Sequence, residues 1–181
     1  MNWLICRTED FTQAAYDQVY ANLSPSRRAH IDTFRHPDAR LCSLAGELAL
    51  RTLLAREGIA DAIDRLPGGQ PVLRGGSAYV SISHCGPWVA CAVSDTPIGI
   101  DIEQIRPIKL GLIDRVCIPE EKNYVQSDPG RFFEIWTAKE AYFKMLGTGI
   151  TDFHSVNTLT LPRKLIREDD YILHLVYKEK R

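Results

Sequence analysis

Apolar residues recur at intervals of three and four in two segments of the chain, which predicts two long helices. Pro37 opens the first segment, and Gly58 stops it after a single apolar stripe. The stripe is formed by Leu41, Leu44, Ala45, Leu48 and Leu53. The second segment runs from Phe132 to Leu146, and Gly147 closes it as a helix-ending glycine. Shorter helices are predicted from Asp10 to Asn22, after Ser24-Pro25 and after Pro119, where a proline or a capping hydroxyl marks the start.

Short β-branched runs, separated by Gly, Pro and Asp, predict the strands. These runs are Asn2–Arg7, Tyr79–Ser83, Val89–Val93, Ile98–Ile102, Val156–Leu161 and Tyr171–Tyr177. We predict a turn over Leu66–Pro71 and a hairpin at Gly75-Gly76. Helices precede strands in each half of the chain, which favours an α+β fold over a doubly wound sheet. A boundary near Asp95-Thr96-Pro97 would divide the chain into halves of residues 1–96 and 97–181.

Composition narrows the class of protein. The 181 residues carry 22 Lys and Arg against 23 Asp and Glu, so a broad basic surface for nucleic acid is not expected. Five widely spaced cysteines without a C-x-x-C pair indicate reduced thiols in a cytoplasmic protein, with neither disulfides nor a zinc site. Residues 75–94 form the longest uncharged stretch, but Ser, Gly, His and Pro interrupt it. We therefore predict no membrane span and no signal peptide.

Two acidic residues alternate along the predicted strand Ile98–Ile102 and its continuation. Asp101 and Glu103 are two positions apart, so their carboxylates share one face while Ile100 and Ile102 pack on the other. Adjacent carboxylates repel unless a cation lies between them, and Mg²⁺ prefers such oxygen ligands. A strand with one solvated polar face is the alternative interpretation.

The second long helix carries a charged pair among aromatic residues. Glu140 and Lys144 are four positions apart and meet on one helix surface, one turn after Trp136. An exposed ion pair would explain this spacing. However, the apolar residues around the pair predict a helix that is covered on most sides, so the charges would line a cleft.

Two further groups of residues could bind phosphate. Ser83 and His84 precede Gly86, and hydroxyl, imidazole and backbone N–H groups all bind phosphate. Neighbours in a strand point to opposite faces, so neither Ser83 nor Cys85 pairs with His84 as nucleophile and base. Arginines near predicted helix starts form the other group, with a solvated helix face as the alternative. They are Arg27, Arg28, Arg35 and Arg40.

Taken in order, these motifs resemble those of the 4′-phosphopantetheinyl transferases, in particular the larger Sfp-type branch, over about residues 24–149. The most specific parts are Gly-Ile-Asp-Ile-Glu at 99–103, followed by Arg106-Pro107, and Trp-x-x-Lys-Glu-Ala-x-x-Lys at 136–144. The resemblance implies two similar α+β halves, related by a pseudo-twofold axis, with the active site between them. It also implies a single-chain monomer.

The implied reaction moves 4′-phosphopantetheine from coenzyme A to a serine of an acyl or peptidyl carrier protein and releases adenosine 3′,5′-bisphosphate. By the resemblance, Asp101, Glu103 and Glu140 hold Mg²⁺, with Mn²⁺ as an alternative ion. Asp101, Glu140 and Lys144 are the implied catalytic residues, with Glu140 as general base. The implied coenzyme A contacts are Arg27, Arg28, Arg40, Gly69, Pro71, Ser83, His84, Lys139 and Lys144.

The chain departs from the family pattern at a few positions. Gln70 replaces a frequent lysine between Gly69 and Pro71, and Cys85 replaces a serine. Two other functions therefore stay open: a non-catalytic coenzyme A-binding module, and a Mg²⁺-dependent hydrolase of a nucleotide-like pyrophosphate. The resemblance would place the docking surface for the carrier on the stretch from Leu112 to Val125, unless its apolar residues belong to the core.

Overall fold

The computed structural model describes residues 1–126, 128 and 130–180. Its helices are α1 (Gln13–Ala21), α2 (Pro25–Asp32), α3 (Pro37–Arg56), α4 (Leu110–Val116), α5 (Pro119–Gln126) and α6 (Arg131–Leu146). Its strands are β1 (Asn2–Arg7), β2 (Ile63–Arg65), β3 (Pro71–Leu73), β4 (Tyr79–Cys85), β5 (Trp88–Ser94), β6 (Ile98–Gln104), β7 (Arg163–Arg167) and β8 (Tyr171–Tyr177). Short 3₁₀ helices span Thr8–Asp10, Phe153–Ser155 and Thr158–Thr160. The α+β class is confirmed.

The N-terminal sheet has the antiparallel order β1-β5-β4, and α3 packs against it. The predicted apolar stripe of α3 supplies much of the core between helix and sheet, since Leu44, Ala45 and Leu53 are all buried there. Helix α2 begins as its sequence predicts, because the Ser24 hydroxyl accepts a hydrogen bond from the Arg27 N–H at 3.2 Å.

The C-terminal sheet has the antiparallel order β6-β8-β7, and α6 lies across it. Gly99 on β6 makes this close approach possible, since a Cβ atom there would lie 1.8 Å from the carbonyl oxygen of Ala141. Helix α6 therefore rests directly on β6. This contact brings the acidic end of β6 and the charged turn of α6 together.

The two three-stranded sheets share one topology. In each sheet the last strand lies in the middle, between the first strand and the one that precedes it in sequence. The sheets adjoin at β4 and β6, where the Ser81 hydroxyl accepts a hydrogen bond from the Ile100 N–H at 3.1 Å. This shared topology agrees with two similar halves, while the pseudo-twofold axis and the division at residues 96 and 97 stay predictions.

Some predicted elements are wrong. The Leu66–Pro71 turn joins β2 to β3, so the hairpin lies there and not at Gly75-Gly76, because β3 pairs with β2 and β4 pairs with β5. The predicted strand Val156–Leu161 instead holds the 3₁₀ helix Thr158–Thr160, since its polar backbone groups bond to buried side chains of the helical layer. Helix α4 and strands β2, β3 and β7 were not predicted.

All five cysteines are free thiols, as their spacing predicted. Within the described residues, no helix is long and apolar enough to cross a membrane.

Candidate active site

A cleft of about 680 Å³ lies where the two halves meet. Its walls come from α2 and α3, the β2–β3 hairpin, β4, the end of α6 and the glycine-rich loop that follows α6. Residues predicted as functional that line it are Arg27, Gly69, Pro71, His84, Glu140 and Lys144. The cleft therefore combines residues from both halves.

Asp101, Ser83 and Lys144 form a hydrogen-bonded triangle at the seam between β4, β6 and α6. The Lys144 Nζ lies 2.7 Å from Asp101 Oδ1 and 2.8 Å from the Ser83 hydroxyl oxygen, and that hydroxyl donates to the same Oδ1 at 2.7 Å. Asp101 is almost fully buried. Among the described residues, its other carboxylate oxygen, Oδ2, has no hydrogen-bond partner.

Glu140 lies one helical turn before Lys144, as the spacing predicted, and is half-buried. Burial is the main factor that raises the pKa of its carboxyl group, to about 7, and the negative charges of Asp101 and Glu103 raise it further. The positive charge of Lys144 lowers the pKa of Glu140. The three carboxylates are thus close enough to repel one another.

Glu103 is held in place by three neighbours. Its Oε1 accepts a hydrogen bond from the Trp136 indole N–H at 3.3 Å. Its Oε2 accepts one from the Cys85 thiol at 3.1 Å and lies 3.3 Å from Nη1 of Arg106. Trp136 and Arg106, both parts of the sequence motifs, therefore orient this acid.

The acidic cluster fits a hard divalent cation by its chemistry. It offers carboxylate oxygens that repel one another, and the buried Oδ2 of Asp101 lacks a partner among the described residues. Mg²⁺ typically takes one or two carboxylates and completes its coordination with substrate phosphates and water. Within the residues that the structure describes, no three acidic, His or Cys side chains are already arranged as a complete metal site. Such an ion would thus need ligands from the substrate or small side-chain shifts.

His84 points away from Ser83, as alternation along β4 predicted. Ser83 is buried against Asp101, whereas His84 is exposed on the cleft wall. Desolvation by the surrounding walls, and next the charge of Lys144, lower the pKa of the His84 imidazole. A neutral His84 can donate one hydrogen bond to a phosphate, and a second becomes available if the ring is protonated.

The comparisons with known proteins agree with this geometry. The profile described as the 4′-phosphopantetheinyl transferase superfamily matches residues 97–175, which include the acids of β6 and all of α6. The chain is 31% identical to the 4′-phosphopantetheinyl transferase HetI of Nostoc sp. over 175 residues, which cover 86% of this chain and 74% of that protein. The chain belongs to the 4′-phosphopantetheinyl transferase superfamily.

Two Bacillus relatives support the same assignment. The chain is 35% identical to the 4′-phosphopantetheinyl transferase psf-1 of Bacillus pumilus and 29% identical to the transferase Sfp of Bacillus subtilis. These matches cover 75% and 77% of the chain. The chain spans 62% of the length of the Bacillus pumilus protein, so it corresponds to less than two thirds of that relative.

One residue that the family resemblance placed at coenzyme A lies elsewhere. Lys139 is fully buried, and its Nζ bonds to Glu121 Oε2 at 2.7 Å and to the carbonyl oxygens of Phe153 and Val156 at 2.5 and 3.1 Å. The prediction that Lys139 contacts coenzyme A is therefore wrong. Its position on α6 turns it away from the face that carries Glu140 and Lys144, and it ties α5 and the 153–158 segment to the helix.

The arginines predicted to bind coenzyme A do not lie together in the structure. Arg27 lines the cleft, where its Nε lies 2.9 Å from Glu47 Oε1 and its Nη2 donates to the Ser43 hydroxyl at 2.7 Å. Arg40 is exposed, pairs with Asp32 at 3.3 Å and stacks over the Tyr20 ring. Among the described cleft-lining residues, neither Arg28 nor Arg40 appears, and their contact with coenzyme A stays a prediction.

The β2–β3 hairpin reaches across to the C-terminal half. The Gln70 side-chain amide donates to the Lys144 carbonyl oxygen at 2.8 Å, near the end of α6. The residue that replaces the frequent family lysine thus links the hairpin to the helix that carries Glu140. Gly69, with a φ of 85°, allows the tight turn that brings Gln70 and Pro71 to this position.

The stretch predicted as a carrier docking surface is largely core. Val116 and Val125 are buried against Phe132 and Phe133 of α6, and Ile113 and Tyr124 pack partly against the same cluster. Most of these apolar side chains are therefore used to hold α4 and α5 on α6.

Sequence reasoning missed Arg65, which lines the cleft, and Glu47, which is buried next to it. Glu47 lies on α3 beneath Arg27, and Arg65 ends β2 and contacts the same Glu47 oxygen. A buried acid inside the apolar stripe of α3 was the available signal, since Glu47 lies between Ala45 and Leu48. Its arginine partners are 18 and 20 residues away, so the pairing itself depends on the tertiary fold.

Proposed function

We propose that this chain transfers 4′-phosphopantetheine from coenzyme A to a serine of an acyl or peptidyl carrier protein. Adenosine 3′,5′-bisphosphate is the second product. The chain belongs to the superfamily, and the observation that supports this reaction best is the convergence of four of its residues. Glu140 and Lys144 line a cleft between the two halves, and Asp101 and Ser83 are buried against Lys144. We further propose that the chain acts as a monomer in the cytoplasm, with halves of residues 1–96 and 97–181.

Glu140 is the general base in this proposal. It takes the proton from the carrier serine hydroxyl as that oxygen forms its bond to the β-phosphorus of coenzyme A. The bond from this phosphorus to the bridging oxygen breaks at the same time, and the negative charge passes to the phosphate of the adenosine product. A half-buried carboxylate at a cleft wall suits this task because it is accessible to the hydroxyl but shielded from bulk water.

Lys144 stabilises the leaving phosphate. Its ammonium group is already fixed by Asp101 and Ser83, so it can neutralise developing charge without first being ordered. Phosphoryl transfer depends mainly on such positioning and charge stabilisation. Arg27, Gly69, Pro71, Ser83 and His84 complete the proposed contacts with coenzyme A.

Asp101, Glu103 and Glu140 would hold a Mg²⁺ ion, with Mn²⁺ as an alternative. When bound, such an ion neutralises pyrophosphate charge and polarises the attacked phosphorus. Asp101 would contribute its Oδ2, because its Oδ1 already accepts hydrogen bonds from Lys144 and Ser83. Glu103 is kept in position by Trp136 and Cys85.

Intact-mass measurement tests the reaction. Purified protein is mixed with coenzyme A, Mg²⁺ and a panel of apo acyl and peptidyl carrier proteins, and we expect one carrier to gain a single phosphopantetheine. Glu140→Gln should abolish this gain, whereas Glu168→Gln, at an exposed position between β7 and β8, should not.

Two other results would contradict the proposal and support a different function. Coenzyme A binding without transfer to any carrier would favour a non-catalytic binding module. Release of adenosine 3′,5′-bisphosphate from coenzyme A without a carrier would favour a pyrophosphate hydrolase that uses the same acids.

A further inference from the structure

Two large apolar residues are exposed at the cleft, one from each half of the chain. Leu66, in the turn between β2 and β3, is 42% exposed, and Ile150, in the loop after α6, is 43% exposed. Seven large apolar residues are exposed in the described part of the chain, and these two are the ones that line the cleft. Their apolar surface therefore faces the space in which the proposed reaction takes place.

The turn and the loop meet at the end of α6. The Leu66 N–H donates to the Gln70 carbonyl oxygen at 2.9 Å, and the Gln70 side-chain amide donates to the Lys144 carbonyl oxygen at 2.8 Å. A Cβ atom on Gly147 would lie 3.1 Å from the side-chain oxygen of Gln70. Ile150 follows Gly147 by three residues, and three residues span at most about 10 Å. Leu66 and Ile150 are therefore neighbours along the rim of the cleft.

Both segments are fixed at their bases and unpacked at their tips. The carbonyl oxygen of Phe153, just beyond the loop, bonds to the buried Nζ of Lys139, and Gln70 holds the base of the turn. At the tips, a Cβ atom on Gly68 or on Gly149 would meet no atom of the described residues within 4 Å. The tips therefore have room to move across the cleft while their bases stay in place, as surface loops do in nanoseconds to microseconds.

The proposed reaction needs a barrier against water. Glu140 would accept a proton from any hydroxyl group at the attacked phosphorus, and Lys144 would stabilise the leaving phosphate in the same way. If water attacks, its oxygen bonds to the β-phosphorus, the bond from this phosphorus to the bridging oxygen breaks, and the proton passes to Glu140. The products are then 4′-phosphopantetheine and adenosine 3′,5′-bisphosphate. Closure of a site over its substrate expels water and prevents such hydrolysis.

We propose that Leu66 and Ile150 close over bound coenzyme A as an apolar gate that keeps bulk water from the β-phosphorus, and so determine selectivity for the carrier serine over water. This inference rests on the proposed function for the reaction. Aliphatic side chains suit a gate because they offer no hydrogen bond that would position a water molecule. Their mutual contact also removes exposed apolar surface from water, which favours the closed arrangement. A docked carrier covers the same opening, so its serine enters without bulk water.

The ratio of transfer to hydrolysis tests the gate. Transfer is measured as phosphopantetheine gained by an apo carrier, and hydrolysis as adenosine 3′,5′-bisphosphate released from coenzyme A and Mg²⁺ without a carrier. We expect Leu66→Ser and Ile150→Ser each to lower this ratio about 10-fold, the factor that corresponds to the burial of one aliphatic side chain. In oxygen-18 water, the phosphopantetheine that these variants release should carry one heavy oxygen atom.

Matched variants separate a gate from a general loss of structure. Leu165→Ser removes an apolar side chain of similar exposure on β7, away from the described cleft lining, and should keep the wild-type ratio. Leu66→Met and Ile150→Leu retain apolar bulk and should keep it as well. Glu140→Gln, added to Ile150→Ser, should abolish the hydrolysis and so assign it to the same site. An unchanged ratio in both serine variants, or an equal fall in Leu165→Ser, would overturn the inference.

Amide hydrogen exchange tests the closure without any reaction. Coenzyme A should protect residues 66–70 and 147–152, and Ile150→Ser should reduce the protection of both segments, because they close together. The turn at residues 168–170 serves as a control and should not change. Absence of protection, or protection of residues 66–70 that survives Ile150→Ser, would overturn the gate. Joint protection in a wild-type protein that transfers nothing would reject the proposed function and keep the gate, whereas transfer with an unchanged ratio in the serine variants would do the reverse.

Discussion

Helix α6 carries two charged clusters that differ in how fully their groups are paired. The first, which we call the sealed cluster, is Lys139 with Glu121. Neither side chain has any exposed area, and Lys139 donates to two backbone carbonyls as well. Glu121 accepts from the Thr158 N–H and hydroxyl and from the Ile118 N–H. Its polar atoms are thus used within the protein, and the cluster holds the helical layer together.

The second, which we call the open cluster, is Asp101, Glu140 and Lys144. Here one Asp101 oxygen accepts two hydrogen bonds, and the other has no partner among the described residues. Burial, and next the charges of the neighbouring acids, raise the pKa of Glu140 to about 7, so this group is partly protonated near neutral pH. The contrast teaches that full pairing marks a structural cluster, whereas unsatisfied charge facing a cleft marks a binding or catalytic one. The two clusters should therefore respond oppositely to the loss of a charge.

The largest effect on stability is expected in the sealed cluster. Lys139→Met leaves Glu121 as a buried carboxylate without its cation, which should lower the free energy of unfolding by about 3–5 kcal/mol. Urea denaturation measures this change. The double variant Lys139→Met/Glu121→Leu should recover much of the loss, because an apolar pair leaves no buried charge. A loss below about 1 kcal/mol in Lys139→Met would contradict the structural role of this lysine.

Removal of a charge from the open cluster should raise the free energy of unfolding, whereas removal of one from the sealed cluster lowers it. The raised pKa of Glu140 means that the folded protein loses stability as pH rises from about 4.5 to 7, where this acid ionises beside Asp101. Glu140→Gln removes that repulsion, so at pH 8 and without metal we expect a gain of about 1–2 kcal/mol after allowance for solvent screening. The same variant should abolish transfer. A clear destabilisation would show that Glu140 is structural.

His174 gives a third effect, which appears only at acid pH. It pairs with Asp101 across β6 and β8, and its Nδ1 lies 2.7 Å from the Thr137 hydroxyl oxygen. Burial, and next the charge of Arg163, lower its pKa to about 3. The unfolded chain therefore takes up a proton below about pH 6.5 that the folded protein excludes, and His174 costs about 1.4 kcal/mol per pH unit from there towards pH 3.

The variant His174→Asn tests this assignment. Its unfolding free energy should fall less steeply between pH 6 and 4 than that of the wild-type protein. The difference in slope should correspond to the uptake of about one proton on unfolding, or about 1.4 kcal/mol per pH unit. His154→Asn, at an exposed position, should keep the wild-type slope. Equal slopes in all three proteins would show that His174 does not titrate as a buried neutral residue.

The smallest effect concerns the link between the hairpin and α6. Gln70→Ala removes the hydrogen bond to the Lys144 carbonyl oxygen, and we expect a loss of about 0.5–1.5 kcal/mol in stability. Transfer should slow modestly through a raised KM for coenzyme A, because the hairpin forms one cleft wall. Steady-state kinetics measure this split, and an unchanged KM would separate the hairpin from substrate binding.

Much of the open cluster could be predicted because its geometry is local. Alternation along β6 places Asp101 and Glu103 on one face, and helical periodicity places Glu140 and Lys144 one turn apart. The same periodicity turns Lys139 about 100° away from Glu140, so its position off the Glu140 face could have been predicted from the helix alone. Lys139 and Lys144 both belong to the family motif, so the motif alone does not distinguish their roles.

Other features depend on the tertiary structure. Strands β2 and β3 have three residues each, too few for an alternating pattern to be recognised. The segment 156–161 has β-branched residues, but Lys139 and Glu121 bind its backbone groups and prevent strand pairing. The cluster of Arg27, Glu47 and Arg65 forms only when the hairpin folds against α3.

The most direct test of the central claim is the intact mass of an apo carrier protein after incubation with coenzyme A, Mg²⁺ and either the wild-type chain or Glu140→Gln. The open cluster as a catalytic site predicts a gain of one phosphopantetheine with the wild-type chain and none with the variant, although the variant is folded and at least as stable. Equal transfer by both proteins would contradict it.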